Sequence, residues 1–206
     1  MKIGIDFDNT MVAYDRLFHV CALELGLIDD TVEANKTAVR DAIRHRLGNH
    51  QWIELQGLVY GPRMLQAPPT PGIETFLARC ADAGIAVAVI SRKTLYAEAG
   101  PRFNLHDAAR DWLSRFGAPR YGLRVFLEIS LDGKLARIAE EGCTHFVDDL
   151  EEIFKAPAFP PQVRKILYAP SASRAGNAEV CLRRNKDEVA VCRNWDEVAA
   201  VTLDAP

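Results

Sequence analysis

The sequence lacks the features that mark a membrane-spanning or secreted protein. No stretch approaches the run of roughly 18 apolar residues that a membrane span needs. A signal peptide would need an apolar run where Asp6 and Asp8 stand. The five cysteines are odd in number and scattered, and no Cys-x-x-Cys pair occurs, so neither a disulfide framework nor a zinc site is indicated. We therefore predict a cytoplasmic protein with no membrane partner.

A strong excess of charge is also missing. The 25 lysines and arginines nearly balance the 28 aspartates and glutamates, and a net charge of -3 gives no electrostatic reason to expect nucleic acid as a partner. The five histidines form no metal-ligand pattern, and there is no internal repeat or low-complexity segment. The sequence does not indicate an oligomeric state. Its 206 residues have ordinary globular composition and suffice for one α/β domain with an insertion.

Alternating strand and helix patterns occupy most of the chain after residue 70. Short apolar runs such as residues 85–90 predict strands that are buried on both faces, and amphipathic stretches between them predict helices. This alternation indicates an α/β fold with a Rossmann-like, mostly parallel sheet. Thr70 is predicted to cap a helix with Pro71 at its first position. The polar stretch 170–188 has few ordering signals, and its role stays open.

A proline-rich boundary at residues 67–72 separates this core from a helical region. Before that boundary the periodicity predicts helices near residues 17–25, 32–47 and 51–56. We therefore divide the chain into a core of residues 1–11 and 70–206 and an all-helical insertion of residues 12–69.

Polar side chains follow the predicted strands at the sheet edge where α/β proteins bind ligands. Asp6 and Asp8 end the first strand, Ser91 follows the second, Lys134 lies at the start of a helix, and the pair Asp148-Asp149 follows a later strand. Two carboxylates about 4 Å apart repel by roughly 4 kcal/mol at an effective dielectric near 20, so such a site needs a cation, a proton, or both. Each feature alone is an ordinary turn residue, solvated lysine or helix cap, but together they indicate a catalytic site.

In this order, the motifs resemble those of the haloacid dehalogenase superfamily of phosphotransferases. Residues 6–10 match its D-x-D-x-T motif, Ser91 its second motif, Lys134 its third, and Asp148-Asp149 its fourth. The resemblance implies the superfamily's α/β core, and the helical insertion is similar to its first-type cap. Asp8 narrows the match to phosphatases and phosphomutases, because the superfamily's dehalogenases lack an acid at this position and its ion pumps carry threonine.

The resemblance also implies catalytic roles. Asp6 would be the nucleophile that forms an aspartyl-phosphate, and Asp8 would protonate the leaving oxygen and then activate water. Ser91 would hydrogen-bond a phosphate oxygen, and Lys134 would offset the charge of the phosphoryl group.

Mg²⁺ is the cofactor that the resemblance implies, because a hard cation prefers oxygen ligands. Its ligands would be Asp6, the backbone carbonyl of Asp8, and Asp148. Asp149 would bind through water or outside the first ligand sphere. The sequence leaves open whether Asp148 and Asp149 exchange these roles, since both are aspartates.

Substrate binding is predicted to involve residues beside the motifs and in the insertion. Lys36, Arg40 and Arg44 are at helical spacing and form a basic stripe, which is either a solvated face or in part a site for a second anionic group. Trp52, Tyr60 and Arg63 are further candidates. The predicted substrate-binding set is Asn9, Thr10, Arg92, Lys93, Lys36 and Arg40.

The predicted function is a magnesium-dependent phosphatase for a small phosphorylated metabolite, either a sugar phosphate or a nucleotide monophosphate. A phosphomutase and a polynucleotide-end phosphatase of the same superfamily are alternatives. A receiver-type signalling module would lack the Asp-x-Asp arrangement and would carry its acidic pair early in the chain. A catalytically silent scaffold is disfavoured because all motif residues are present.

Overall fold

The computed structural model describes residues 1–170 and 189–204. In this part of the chain the strands are β1 (Lys2–Ile5), β2 (Ala86–Arg92), β3 (Arg124–Glu128), β4 (His145–Asp148), β5 (Arg164–Tyr168) and β6 (Ala190–Cys192). They form one sheet in the order β3-β2-β1-β4-β5-β6, and every neighbouring pair is parallel. The predicted α/β class with a mostly parallel sheet is confirmed. Residues 171–188, most of the polar stretch whose role was left open, lie outside the described residues.

The helices follow the strands as the alternation predicted. They are α1 (Asp15–Glu24), α2 (Lys36–Leu47), α3 (Asn49–Tyr60), α4 (Ile73–Asp82), α5 (Leu105–Phe116), α6 (Leu131–Glu140), α7 (Glu151–Lys155) and α8 (Trp195–Thr202). One helix start differs from the sequence analysis. α4 begins at Ile73 with Gly72 as its N-cap, in a left-handed conformation (φ 91°), so neither Thr70 nor Pro71 has its predicted capping role.

The central strands are apolar because both faces of the sheet are covered. Ile3 and Ile5 of β1 are fully buried, as are Ala88 and Ile90 of β2. Gly4 lies so close to β4 that an added Cβ would stand 2.5 Å from the ring of Phe146, so a larger residue would force the two strands to repack. This tight packing fixes the register that brings the strand ends together.

The chain divides into two compact units. The first, which we call the core unit, consists of Met1–Met11, Thr70–Arg92 and Ala118–Pro206 and contains the sheet. The second, the helical unit, consists of Val12–Pro69 and Lys93–Gly117. The sequence analysis assigned the last of these segments to the core. In the structure this segment groups with the insertion instead, because α5 packs on it. The indole N–H of Trp112 in α5 donates to the carbonyl of Ala67 at 2.8 Å.

An aromatic cluster fills the interior of the helical unit. Phe18 stacks on Trp52 at a centroid distance of 5.0 Å, and Tyr60 meets Tyr14 edge-on at 4.9 Å and Phe18 at 5.4 Å. Tyr14, Phe18 and Trp52 are almost fully buried, whereas Tyr60 is half-buried. Trp52, a candidate for substrate contact, is therefore part of this interior.

Four cysteines of the described residues, Cys21, Cys80, Cys143 and Cys192, are buried free thiols. Every helix in the described ranges is too short or too polar to cross a lipid bilayer.

Candidate active site

The register of the three central strands brings the acidic residues to one edge of the sheet. Ile5 is level with Val89 on one side and with Val147 on the other, so the chain leaves β1 beside the end of β4. The backbone N–H of Asp6 donates to the carbonyl of Val147 at 2.8 Å and extends this pairing by one bond. Asp6 and Asp148, which are far apart in the sequence, consequently become neighbours.

Three carboxylates gather at this edge. Oxygens of Asp6, Asp148 and Asp149 lie within 4.8 Å of one another. Asp148 is fully buried, Asp6 is 5% exposed, and Asp149 is half-buried. Such a cluster would be strongly unfavourable in a buried position unless positive charge or protons offset it.

Lys134 supplies part of that positive charge. Its ammonium donates to Asp6 Oδ1 and to Asp148 Oδ2, both at 2.6 Å, and the side chain is only 2% exposed. Lys134 is in the first turn of α6. Ser130 is the N-cap of this helix, and its hydroxyl oxygen accepts from the Gly133 N–H at 3.0 Å. Burial alone would lower the pKa of Lys134, but attraction to the two carboxylates outweighs it and raises that pKa. The ammonium therefore stays charged.

The pKa of Asp6 is raised to about 8, chiefly by burial. The charge of Lys134 opposes this shift, while the neighbouring carboxylates of Asp148, Asp149 and Asp8 add to it. A divalent cation at these oxygens would favour the ionised form and bring the pKa down. The protonation state of Asp6 is thus set by whether a cation accompanies it.

A tight turn follows β1 and aims the next residues back at the acidic cluster. Asn9 adopts a left-handed conformation (φ 60°), which asparagine tolerates better than most residues, and the Met11 N–H donates to the Phe7 carbonyl at 3.0 Å. The hydroxyl of the fully buried Thr10 donates to Asp149 Oδ1 at 3.3 Å. Thr10, which was predicted to bind substrate, therefore contacts the side chain of Asp149. The contact of Thr10 with substrate stays a prediction.

Two residues outside the predicted set support this turn. The hydroxyl of Thr70 donates to the Thr10 carbonyl at 2.8 Å and accepts from the indole N–H of Trp195, also at 2.8 Å. Both side chains are buried. No sequence signal connects a threonine after the helical insertion with a tryptophan near the end of the described chain, so only the structure reveals their role.

Asp8 and Ser91 lie at the same sheet edge. Asp8 is half-buried and close enough to act electrostatically on Asp6. Ser91, in β2, is 1% exposed. Ile5 is paired with Val89, so two residues further along each chain Ser91 is level with Phe7. Arg92, the last residue of β2, is exposed. The catalytic role of Ser91 and the substrate contact of Arg92 stay predictions.

The other predicted substrate residues belong to the helical unit and are in different settings. The Lys93 ammonium lies 4.7 Å from the centroid of the Tyr60 ring, and the Lys36 ammonium lies 5.6 Å from it. Arg40, by contrast, pairs with its neighbour Asp41 at 2.8 Å. Within the helical unit the structure therefore places the ammoniums of Lys36 and Lys93 near the same ring. The predicted stripe did not contain Lys93.

The donor set suits a hard divalent cation. Asp6, Asp8, Asp148 and Asp149 bring four carboxyl groups to this edge, and the Lys134 ammonium contacts two of them, Asp6 and Asp148. Carboxylate oxygens are the ligands that Mg²⁺ prefers, and three of these side chains offer oxygens close enough to share one ion. Asp8 would take part through its backbone carbonyl, as the resemblance implies, and that contact stays a prediction.

The fold is similar to that of solved haloacid dehalogenase superfamily hydrolases. No protein-family model matches the sequence, and no curated protein matches it significantly. Solved structures do match. A superfamily hydrolase from Ehrlichia chaffeensis has a TM-score of 0.53 at 13% identity, covering 96% of this chain and 93% of that one. The predicted fold family is thereby confirmed at the level of the fold.

Two further structures widen the comparison. A phosphoserine phosphohydrolase-like protein from Francisella tularensis has a TM-score of 0.50 at 16% identity and covers 98% of this chain and 100% of that one. Protein Tyrosine Kinase A from Mycobacterium tuberculosis has a TM-score of 0.57 at 16% identity, covering 98% of this chain and 97% of that one. Proteins named for hydrolysis and for kinase activity share this fold, so the reaction must be argued from the site.

Proposed function

We propose that the protein is a Mg²⁺-dependent phosphatase that hydrolyses a small phosphate monoester through an aspartyl-phosphate on Asp6. The observation that carries this proposal is the Lys134 ammonium between Asp6 and Asp148, at 2.6 Å from each. A carboxylate that attacks a phosphate dianion meets like-charge repulsion, and a fixed positive charge beside the nucleophile reduces it.

The reaction would proceed in two displacements. A carboxylate oxygen of Asp6 forms a bond to phosphorus as the ester oxygen leaves with its electron pair, and Asp8 gives that oxygen a proton. Asp8, now ionised, then takes a proton from water, whose oxygen attacks phosphorus and displaces Asp6. Inorganic phosphate leaves, and both aspartates return to their starting forms.

The raised pKa of Asp6 explains why a cation belongs to this mechanism. Attack requires the carboxylate, and burial raises the pKa of Asp6 to about 8. When bound, Mg²⁺ would supply positive charge that favours ionised Asp6 and offsets the charge of the phosphoryl group. Lys134 adds to this effect, since its ammonium contacts both Asp6 and Asp148.

The proposal is tested by assaying p-nitrophenyl phosphate and a panel of phosphorylated metabolites with Mg²⁺. The Asp6→Asn variant should lose roughly a thousandfold or more in turnover, because an amide is a poor nucleophile. Asp82→Asn, an exposed aspartate at the end of α4, is the matched control and should keep full activity. Unchanged turnover in Asp6→Asn would contradict the proposal, and trapping phosphate on the wild-type protein would support it.

The same assay addresses the alternatives. A phosphomutase would return the phosphoryl group to a sugar and release little inorganic phosphate, and a polynucleotide-end phosphatase would prefer oligonucleotide ends to small esters. Asn9, Thr10 and Arg92 are proposed to contact the substrate beside the nucleophile. Their alanine variants should raise KM more than they lower kcat if they bind the ester without taking part in chemistry.

A further inference from the structure

The hydroxyl of Thr70 joins two parts of the core unit that are far apart in the sequence. It donates to the carbonyl of Thr10 at 2.8 Å and accepts from the indole N–H of Trp195, also at 2.8 Å. An indole N–H can only donate and a carbonyl can only accept, so each neighbour uses a different side of the hydroxyl. The direction of the Thr70 hydroxyl is therefore fixed by both contacts.

The indole of Trp195 is itself held firmly. Trp195 is 1% exposed, and its ring stacks on that of Tyr168 at a centroid distance of 5.2 Å and lies 5.0 Å from that of Phe76. The phenol of Tyr168 belongs to the same polar group: burial raises the pKa of Tyr168, and hydrogen bonding to Thr70 and Trp195 opposes that rise. An indole packed against two rings has little freedom to turn its N–H away from Thr70.

The carbonyl that Thr70 contacts belongs to the turn after β1. The backbone N–H of Thr70 also donates to the next carbonyl, that of Met11, at 2.9 Å, so one residue binds two consecutive carbonyls of the turn. Because a peptide group is planar, fixing the Thr10 carbonyl also fixes the N–H of Met11, which closes the turn on the Phe7 carbonyl at 3.0 Å. Thr70 therefore fixes the backbone that carries the Thr10 side chain.

Thr10 connects this backbone to the acidic edge. Its hydroxyl donates to Asp149 Oδ1 at 3.3 Å, and Asp149 is one of the three carboxylates whose oxygens are close enough to share a cation. Residues that hydrogen-bond the ligands of a metal orient those ligands and tune the affinity of the site. All four residues of this series of contacts, from Trp195 through Thr70 and Thr10 to Asp149, belong to the core unit.

We propose that Thr70, held by Trp195, is a positioning residue for the cation site: by fixing the backbone of Thr10 it aims the Thr10 hydroxyl at Asp149 and raises the affinity for Mg²⁺. This inference rests on the cation site of the proposed function and gives a role in it to two residues from outside the motifs. The alternative is that the buried hydrogen bonds of Thr70 serve folding alone.

The test measures cation affinity without turnover. Mn²⁺ is titrated into the substrate-free protein while the EPR signal of the free ion is recorded, and Mg²⁺ is then added as a competitor, since both ions prefer carboxylate and carbonyl oxygens. Thr70→Val removes the hydroxyl at nearly constant volume. It should weaken Mg²⁺ binding by roughly fivefold or more, near the lower end of what loss of a residue behind a metal ligand costs, because Thr70 acts through Thr10. Thr70→Ser keeps the hydroxyl and should recover most of the affinity.

A second buried threonine provides the matched control. The hydroxyl of Thr202 also donates to a backbone carbonyl, that of Val198 in the same helix, at 2.8 Å, and Thr202 is 3% exposed. Thr202→Val should therefore cost similar stability in denaturant unfolding and should bind Mg²⁺ as the wild type does, since its hydrogen bond stays within α8. Trp195→Phe, which keeps a ring but loses the N–H, should have an affinity between those of wild type and Thr70→Val.

A double variant determines whether Thr70 acts through Thr10. Thr10→Val removes the donor to Asp149 and should weaken Mg²⁺ binding roughly tenfold. Adding Thr70→Val should weaken binding by less than about twofold more, because the hydroxyl that Thr70 aims is already gone. Losses that multiply in the double variant would mean that Thr70 acts by another route, and the inference would be wrong.

Wild-type affinity in Thr70→Val, an equal loss of affinity in Thr202→Val, or a wild type that binds neither ion would also overturn the inference. The phosphatase proposal is decided separately, by the p-nitrophenyl phosphate assay. If wild type hydrolyses this ester with Mg²⁺ while Thr70→Val keeps full affinity, the proposed function stands and the positioning role is rejected. If affinity falls in Thr70→Val and not in Thr202→Val while no ester is hydrolysed, the positioning role stands and the phosphatase proposal is rejected.

Discussion

The two units organise charge in opposite ways. In the core unit opposite charges meet, with Lys134 between Asp6 and Asp148 at 2.6 Å from each. In the helical unit like charges meet, with Lys36 and Lys93 on the ring of Tyr60. The acidic cluster suits an added cation, because it gathers several carboxyl groups around the Lys134 ammonium, whereas the two lysines of the helical unit lie against an aromatic ring.

The contrast also concerns what each arrangement does for stability. Removing one partner from a buried pair of opposite charges leaves an uncompensated charge in a poorly solvated place. Removing Lys93 takes away a cation–π contact with Tyr60, which is a weaker interaction than a buried pair of opposite charges. Lysine substitutions in the two units should therefore change the free energy of unfolding by different amounts.

The largest effect is expected for Lys134→Met. Asp6 and Asp148 lose their shared ammonium, so the free energy of unfolding in EDTA should fall by about 3 kcal/mol, as when one partner of a buried pair is removed. Turnover should fall by roughly a hundredfold or more, because a charge that offsets the transition state is lost. Denaturant unfolding and the p-nitrophenyl phosphate assay measure the two effects.

Lys93→Met supplies the comparison within the same experiment. It should leave the free energy of unfolding within about 1 kcal/mol of wild type, because the remaining Lys36 still stacks on Tyr60. Added Mg²⁺ should restore part of the stability of Lys134→Met by replacing the missing positive charge. Equal loss of stability in the two variants would show that the contrast between the units is wrong.

A smaller effect is expected from pH in the absence of metal. The pKa of Asp6 rises from an ordinary 3.8 to about 8, so between these values the folded protein binds a proton that the unfolded chain has released. The stability from Asp6 is therefore fully present below pH 4 and lost as the pH rises through about 8. In EDTA the free energy of unfolding of wild type, measured relative to Asp6→Asn, should fall by at least about 1.4 kcal/mol between pH 5 and pH 8, the equivalent of a tenfold change in proton affinity.

Asp6→Asn is the reference because its amide does not titrate in this range, so other groups cancel in the difference. Saturating Mg²⁺ should flatten the difference, since the cation favours the carboxylate in the folded protein. A difference that stays constant with pH in EDTA would mean that Asp6 ionises normally and that burial does not govern its pKa.

The core unit could be predicted from sequence because each of its signals is local. Apolar runs such as residues 85–90 indicate strands buried on both faces, and parallel strands bring their carboxyl ends to one edge. Asp6, Lys134 and Asp148 could be expected to converge there before any coordinates existed.

The helical unit could be predicted only in part, because its key contacts join segments without a shared motif. The insertion was visible in its periodicity, but the position of α5 in the same unit depends on side-chain packing such as that of Trp112. Helical spacing grouped Lys36 with Arg40, whereas tertiary structure groups it with Lys93. Thr70 was expected to cap α4 because of its place before Pro71, but its hydroxyl is used by Thr10 and Trp195 instead.

The smallest effect is expected for His106, which contacts the backbone of Lys93. His106→Leu removes the donor to the Lys93 carbonyl and should lower the free energy of unfolding by about 1 kcal/mol. His106→Gln should recover part of that stability, since its side-chain amide can donate to the same carbonyl. His19, whose Nε2 lies 2.9 Å from the Val32 carbonyl, allows a matched comparison: His19→Leu should cost similar stability. Denaturant unfolding measures both variants, and a wild-type free energy of unfolding in His106→Leu would show that the contact with the Lys93 carbonyl does not stabilise the fold.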